Sequence, residues 1–264
     1  MRILITNDDG IGAPGLVVLQ AIAEAVAGED GEVWTVAPAF EQSGVGHCIN
    51  YVKPSMMQKI AERRFALEGS PADCVLAGLG EIVDGPVDLV LSGVNRGNNA
   101  GENTVYSGTI GAAMEAALQG VPGIALSQFY GPDNVDLDDP FEAAAAHGAD
   151  VVRRLVEEAP WGGETYKLFY NVNFPPVPGD RVEGIAAVAQ GYRGDGRMGV
   201  SPQTAPSGRR YLWISGSAQG EATADGTDVK ANMDGWVSVT PMRCDLTDQG
   251  ALGDLRAVFP DYEG

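Results

Sequence analysis

Apolar and polar positions alternate along this chain in two periods. Residues 1–6 are an apolar run that breaks at once into Asn7-Asp8-Asp9-Gly10, which reads as a buried parallel strand presenting carboxylates at its carboxyl end. From Pro14 to Ala27, Leu16, Leu19, Ile22 and Val26 recur on one helical face, with Pro in the first turn and Gly28 at the close. Glu32–Ala37 predicts a second strand stopped by Pro38, followed by a polar loop over 39–50. Ser70 and Pro71 predict a capped helix reaching Ile82, and Val87–Leu91 a third buried strand that ends in the polar stretch Ser92–Asn99. A helix over about Gly108–Leu118 and a strand over Gly123–Ser127 complete a repeated strand–helix rhythm, which predicts a doubly wound, mostly parallel sheet. Beyond it the pattern predicts a helix at Phe141–Ala159 and strands at Lys167–Phe174 and Trp236–Thr240. Between those two strands, residues 190–235 are rich in Gly, Ser, Asp and Arg, with a short strand near Tyr211–Ile214. The second half therefore reads as the completion of the sheet plus an extended hairpin arm.

Composition narrows the partners more than the fold. With 264 residues and 44% hydrophobic content, the chain suffices for one large α/β domain. A net charge of −19 argues against a nucleic-acid or anionic-membrane surface. A small anionic substrate remains compatible with it, provided a metal or helix N-termini supply local positive potential. Cys48, Cys74 and Cys244 are sparse, odd in number and far apart, which fits a reducing compartment. Asp8 and Asp9 interrupt any apolar leader, and no stretch approaches the roughly 20 apolar residues of a membrane span. The expectation is a soluble, cytoplasmic protein.

Four places carry candidate chemistry. Asp8 and Asp9 repel each other with no Lys or Arg beside them, and a hard divalent cation resolves that conflict. Neighbouring side chains on a strand point to opposite faces, so both reach one ion only if the chain turns between them, which Gly10 permits. A turn with a helix cap explains the same four residues. Ser43 follows the second strand, where ordinary loop chemistry is the plain alternative. Asn95 follows the third strand as Asp8 follows the first; a neutral carbonyl beside two carboxylates suits Mg²⁺ or Mn²⁺ better than Zn²⁺. Ser107-Gly108-Thr109 opens a helix, where free N–H groups and the dipole favour an anion, although such a turn also serves as a simple cap. The chain holds neither a G-K-[ST] phosphate loop nor, at Gly10-Ile11-Gly12, a dinucleotide fingerprint. His47 lies near Ser43 without a nucleophile elbow, and qualifies as a general acid by residue type alone.

Taken together these segments resemble the SurE family of survival-protein nucleotidases. The resemblance rests on Asn7-Asp8-Asp9-Gly10, Gln42-Ser43-Gly44, Gly69–Val75, Ser92-Gly93-Val94-Asn95-Arg96-Gly97, Tyr106-Ser107-Gly108-Thr109 and Trp236–Pro241, in that order across nearly the whole chain. It implies a three-layer α/β/α sandwich with a mostly parallel, Rossmann-like sheet, an extended β-hairpin arm and a C-terminal helix. One domain spans 1–264, with a catalytic core over about 1–190 and an arm and C-terminal segment used in oligomerisation over about 190–264. It also implies a metal-dependent phosphatase of nucleoside 5′-monophosphates, acting in some members on 3′-nucleotides or short polyphosphate, and a homodimer or homotetramer. By the same resemblance, one Mg²⁺ or Mn²⁺ per subunit is held by Asp8, Asp9, Ser43 and Asn95. Asp8, Asp9 and Asn95 are the catalytic residues, and Asn95, Ser107, Gly108 and Thr109 lie by the phosphate. Ala39, Cys48, Asn50 and Asn103 depart from the family's usual Asp, Ser, Thr and Asp; they surround the four ligands rather than replace them.

Attack on phosphorus by an activated water is the expected route, with direct attack by Asp8 or Asp9 as the alternative. A nucleotide- or metal-sensing module without turnover, and a phosphatase of non-nucleotide esters, are the competing functions.

Overall fold

A computed structural model describes residues 1–163, 165–194, 198–216, 219–221 and 223–259. Strand β1 (Arg2–Thr6) sends Ile3 and Ile5 to one face and Leu4 to the other, all fully buried, so a helical layer is needed on both sides. Helix α1 (Pro14–Ala27) buries Leu16, Leu19 and Ile22, and the Gly28 N–H closes it on the Glu24 carbonyl. Next come β2 (Glu32–Pro38) and the short antiparallel pair β3 (Met57–Ala61) and β4 (Arg64–Leu67). Helix α2 (Pro71–Ala77) opens with a reciprocal cap: Ser70 Oγ accepts from the Asp73 N–H while the Asp73 carboxylate accepts from the Ser70 N–H. The expected helix to Ile82 changes character at Gly78. A π turn, Gly78–Ile82, finishes it, with the Val83 N–H reaching the Gly78 carbonyl.

Strand β5 (Leu89–Arg96), helix α3 (Gly108–Leu118), strand β6 (Gly123–Gln128), helix α4 (Glu142–Glu158) and strand β7 (Leu168–Phe174) continue the winding. They are followed by β8 (Gly184–Ala187), β9 (Gly199–Thr204), β10 (Arg210–Ser215), α5 (Asp228–Met233), β11 (Trp236–Arg243) and α6 (Gln249–Val258). The main sheet has nine strands in the order β3-β4-β2-β1-β5-β6-β7-β11-β8. All neighbours from β4 to β7 are parallel, β3 and β11 run antiparallel to their inner neighbours, and β8 is parallel to β11. Helices α1 and α4 cover one face, and α2 and α3 the other. The expected three-layer, mostly parallel α/β architecture is what the chain adopts. Among the described residues, strands β9 and β10 pair only with each other and form the hairpin arm, while β11 returns from beyond it to sit between β7 and β8. No helix among the described residues is long and apolar enough to cross a membrane.

One topological fact positions the site. The chain steps from β1 outward to β2 and β4, then returns to β5 on β1's other side. Strand order therefore reverses at β1, and in such sheets a crevice opens beyond the carboxyl ends of the strands at the reversal.

Candidate active site at the strand reversal

Each strand flanking the reversal has a residue with ligand chemistry at or beyond its carboxyl end. After β1, Asn7 closes a tight turn on itself: its amide donates to the Gly10 carbonyl at 2.9 Å and its oxygen accepts from the Gly10 N–H at 3.2 Å. Gly10 sits at φ +100°, which a side chain would strain. With this turn, Asp8 lines one cavity and Asp9 the one beside it. After β2, the loop bearing Ser43 is pinned by backbone bonds from Gln42 to the Asp8 carbonyl at 2.7 Å and from Gly46 to the Tyr106 carbonyl at 2.9 Å. Asn95 lies inside β5 rather than in a loop beyond it. Ser92 opposes Ala125 and Asn95 opposes Ser127, so β5 carries one extra residue between the two pairs. That irregularity ends the simple alternation and re-aims Asn95, which is why polar residues 92–96 remain in a strand.

Asp8, Ser43, Asn95, Asn98 and Ser107 line one cavity of about 200 Å³. Asp9 lines an adjoining cleft of about 350 Å³ with Phe40, Tyr130 and Phe141, and Arg96 borders both. Asp8 is only 4% exposed. Burial pushes its carboxyl up from the usual 3.8 to about 6; the Thr109 hydroxyl opposes that rise and the neighbouring Asp9 charge adds to it. Asp9 is raised too, first by burial and further by Glu41, while the Arg96 N–H bond to its Oδ2 at 3.1 Å pulls the other way.

At the start of α3 the Ser107 hydroxyl caps the helix by accepting from the Ile110 N–H at 3.1 Å. Thr109 spends both donors on Asp8, its hydroxyl at 2.7 Å from Oδ1 and its N–H at 3.3 Å from Oδ2. Thr109 thus orients a carboxylate. Gly108 is the first helical residue, so its N–H has no acceptor within the helix. Because Thr109 holds the Asp8 carboxyl down, Thr109→Val should raise it further. In the metal-free chain we expect the Asp8 carboxyl titration, followed by NMR, to move to higher pH in Thr109→Val than in the parent; an unchanged titration would remove this role of Thr109.

The chemistry of the donors can be set against that of a divalent ion. The Asn95 amide donates to the Gly97 carbonyl at 2.8 Å, which leaves its side-chain oxygen as the free end. Two carboxylates, a hydroxyl and an amide oxygen form an all-oxygen set, and buried Asp8 lacks a cationic partner among the described residues. These features fit Mg²⁺ or Mn²⁺. No group of three or more His, Cys, Asp or Glu is brought together among the described residues, so a nitrogen- or sulfur-rich site does not form there.

The profile of the family described as survival protein SurE matches residues 3–196. The chain belongs to the SurE family. The segment that matches SurE contains every candidate residue from Asp8 to Thr109. A protein of Roseobacter denitrificans named 5′-nucleotidase SurE is 62% identical over 259 residues, covering 98% of this chain and 99% of that one. One of the same name from Ruegeria pomeroyi is 62% identical over 260 residues, covering 98% and 100%. The crystal structure of SurE protein from Aquifex aeolicus matches with a TM-score of 0.79 at 35% identity, over 98% of this chain and 100% of that one.

Several residues around this SurE site carry little signal in the sequence. Glu41 accepts from the Ser43 hydroxyl at 2.8 Å, and its position two residues before Ser43 is the one hint of that contact. Asn99, Asn171 and Asn173 form a buried ladder that ties the segment after Asn95 to β7: the Asn99 N–H donates to Asn173 at 2.7 Å and the Asn171 amide to the Asn99 carbonyl at 2.9 Å. Arg193, its side chain fully buried, pairs with Glu102 at 2.9 Å from 91 positions away, a contact with no local signature. His47 is not among the cavity's lining residues; its Nε2 sits 2.6 Å from Glu115 on α3 and braces the Ser43 loop against that helix. His147 contacts the Gly179 carbonyl and belongs to the packing of α4.

Proposed function

We propose that this chain hydrolyses nucleoside 5′-monophosphates to nucleoside and phosphate, with 3′-nucleotides and short polyphosphate as secondary substrates, and that it requires Mg²⁺ or Mn²⁺. The observation that carries the reading is the convergence of Asp8, Ser43 and Asn95 on the start of α3 at the strand reversal, with Asp9 lining the adjoining cleft. The relatives' shared name agrees with it.

Asp8, Asp9, Ser43 and Asn95 are the residues that would hold the ion. When bound, the ion neutralises phosphoryl charge and acidifies a water. Asp8 is kept in one orientation by Thr109. Asp9, whose Oδ2 is occupied by the Arg96 N–H, offers Oδ1 to take the proton of the attacking water as the new oxygen–phosphorus bond forms and the ester bond breaks; the nucleoside leaves as an alkoxide that takes its proton from solvent water. Arg96, the Ser107 hydroxyl and the Gly108 N–H hold phosphoryl oxygens, with Asn95 and Thr109 beside them. Such a site works by position and electrostatics.

The cytoplasm is the proposed location. A homodimer or homotetramer built through the arm is the proposed assembly: Trp213 and Ile214 are 63% and 72% exposed on β10, and an apolar hairpin of this kind calls for a covering surface. Within that assembly residues of about 1–190 serve catalysis and those beyond serve association. A substrate panel tests the activity. AMP, GMP and their 3′ isomers, a short polyphosphate and a simple alkyl phosphate are compared at fixed Mn²⁺. Preference for 5′-mononucleotides is expected; equal or better turnover of the alkyl phosphate would remove the nucleotide assignment.

A further inference from the structure

Asn98 lies three residues past Asn95, is 3% exposed and lines the same cavity. Its side-chain oxygen receives the Asn103 amide at 3.2 Å and the Arg193 guanidinium at 3.5 Å. Those two donors identify the oxygen end of the amide, since a nitrogen there would face them unfavourably. The other end, Nδ2, is buried and has no hydrogen-bond partner among the described residues. A donor sealed from water without an acceptor carries a desolvation penalty, and such groups are rare unless a ligand completes them. The surroundings favour an anionic acceptor. Arg193 is held against Glu102 and the Ala100 carbonyl, so its guanidinium stays fixed behind Asn98 and polarises the amide toward donation.

We infer that Asn98 is a phosphate-binding residue, its Nδ2–H donating to a phosphoryl oxygen while Arg193 and Asn103 hold the amide from behind; this rests on the reading of the cavity as a phosphate site. It supplies an uncharged donor in the cavity that Asp8 lines, where an extra cation would compete with the divalent ion.

The test measures the binding of inorganic phosphate by calorimetry at saturating Mn²⁺, in the full chain and in Asn98→Asp and Asn98→Ala, with thermal midpoints recorded. Asn98→Asp keeps the acceptor for Arg193 and Asn103 but removes the donor; Asn98→Ala removes the donor without adding charge. Both variants should bind phosphate roughly 10- to 100-fold more weakly. Asn98→Asp should keep the midpoint of the parent chain. Parent-like phosphate affinity in either variant would overturn the inference, since loss in Asn98→Asp alone would be charge repulsion. Nucleotide turnover by the parent chain is read separately. If it binds phosphate yet hydrolyses no mononucleotide, the proposed activity fails while the comparison of variants still decides the role of Asn98.

Discussion

Asp8→Asn is expected to abolish turnover and, in the same protein, to stabilise the metal-free fold. On the proposed role of Asp8 as an anionic metal ligand, its loss removes several kcal/mol of charge stabilisation, so kcat should fall at least about 10³-fold. The stability effect has the opposite sign. In the metal-free protein burial raises the Asp8 carboxyl from 3.8 to about 6, whereas the unfolded chain leaves it at its ordinary value. Above pH 6 the folded state therefore holds an ionised, desolvated group at a cost of about 3 kcal/mol, at about 1.4 kcal/mol per pH unit. The cost shrinks as pH falls through 6, because the folded state takes up its proton first, and it vanishes below about pH 4. Asparagine carries no charge and keeps one oxygen for the Thr109 hydroxyl, but gives up the longer bond from the Thr109 N–H, which offsets part of the gain. In EDTA-treated protein the thermal midpoint of Asp8→Asn should exceed that of the parent by roughly 5 °C at pH 7.5, with a smaller gap at pH 5. A midpoint that is lower at pH 7.5 would show that Asp8 is stabilised by something other than a cation.

The second large effect comes from a residue without a side chain. A Cβ on Gly108 would stand 3.0 Å from Asp8 Cβ, 3.1 Å from Pro71 Cγ and 3.2 Å from Asp8 Oδ2. None of these neighbours is the free end of a flexible chain: Asp8 is held by Thr109, and Pro71 is locked into the capped start of α2. Gly108→Ala asks for a shift of a few tenths of an ångström. Gly108→Val adds two methyl groups and must move the start of α3 away from the carboxylate, breaking the Thr109 bonds and shifting Ser107, which lines the cavity. Misplacement on the order of 1 Å in such a site costs about 10²-fold in rate. We expect a kcat loss of about 100-fold in Gly108→Val, a smaller one in Gly108→Ala, and a circular-dichroism spectrum unchanged in both. Parent-like kcat in Gly108→Val would mean that the helix start is not part of the reacting geometry.

How legible each part of this site is in the sequence follows from distance along the chain. Strand β1 can be read because Ile3, Leu4 and Ile5 are all buried and end abruptly in acids. The proposed ligand residues can be grouped because each lies near or beyond the carboxyl end of a strand of a parallel sheet, and parallel strands deliver their carboxyl ends to one rim. Strand β3 cannot be read, since all five of its residues are exposed and carry no burial pattern. The extension of β5 through Asn95 is hidden because a bulge near a site breaks the period that identifies a strand. Thr109 illustrates a different limit. Its place at a helix start suggests phosphate, but only the folded chain turns both its donors to Asp8, 101 positions away. The Arg193–Glu102 pair behind Asn98 is likewise a product of the fold, and no spacing in the sequence announces it.

Phosphate release from AMP by EDTA-stripped protein, followed as Mn²⁺ or Mg²⁺ is added back, tests the central claim most directly. The account predicts no turnover in the stripped protein, saturable recovery with either ion, and no recovery in Asp8→Asn at any metal concentration. Full activity after stripping, or metal-restored activity in Asp8→Asn matching the parent chain, would contradict it.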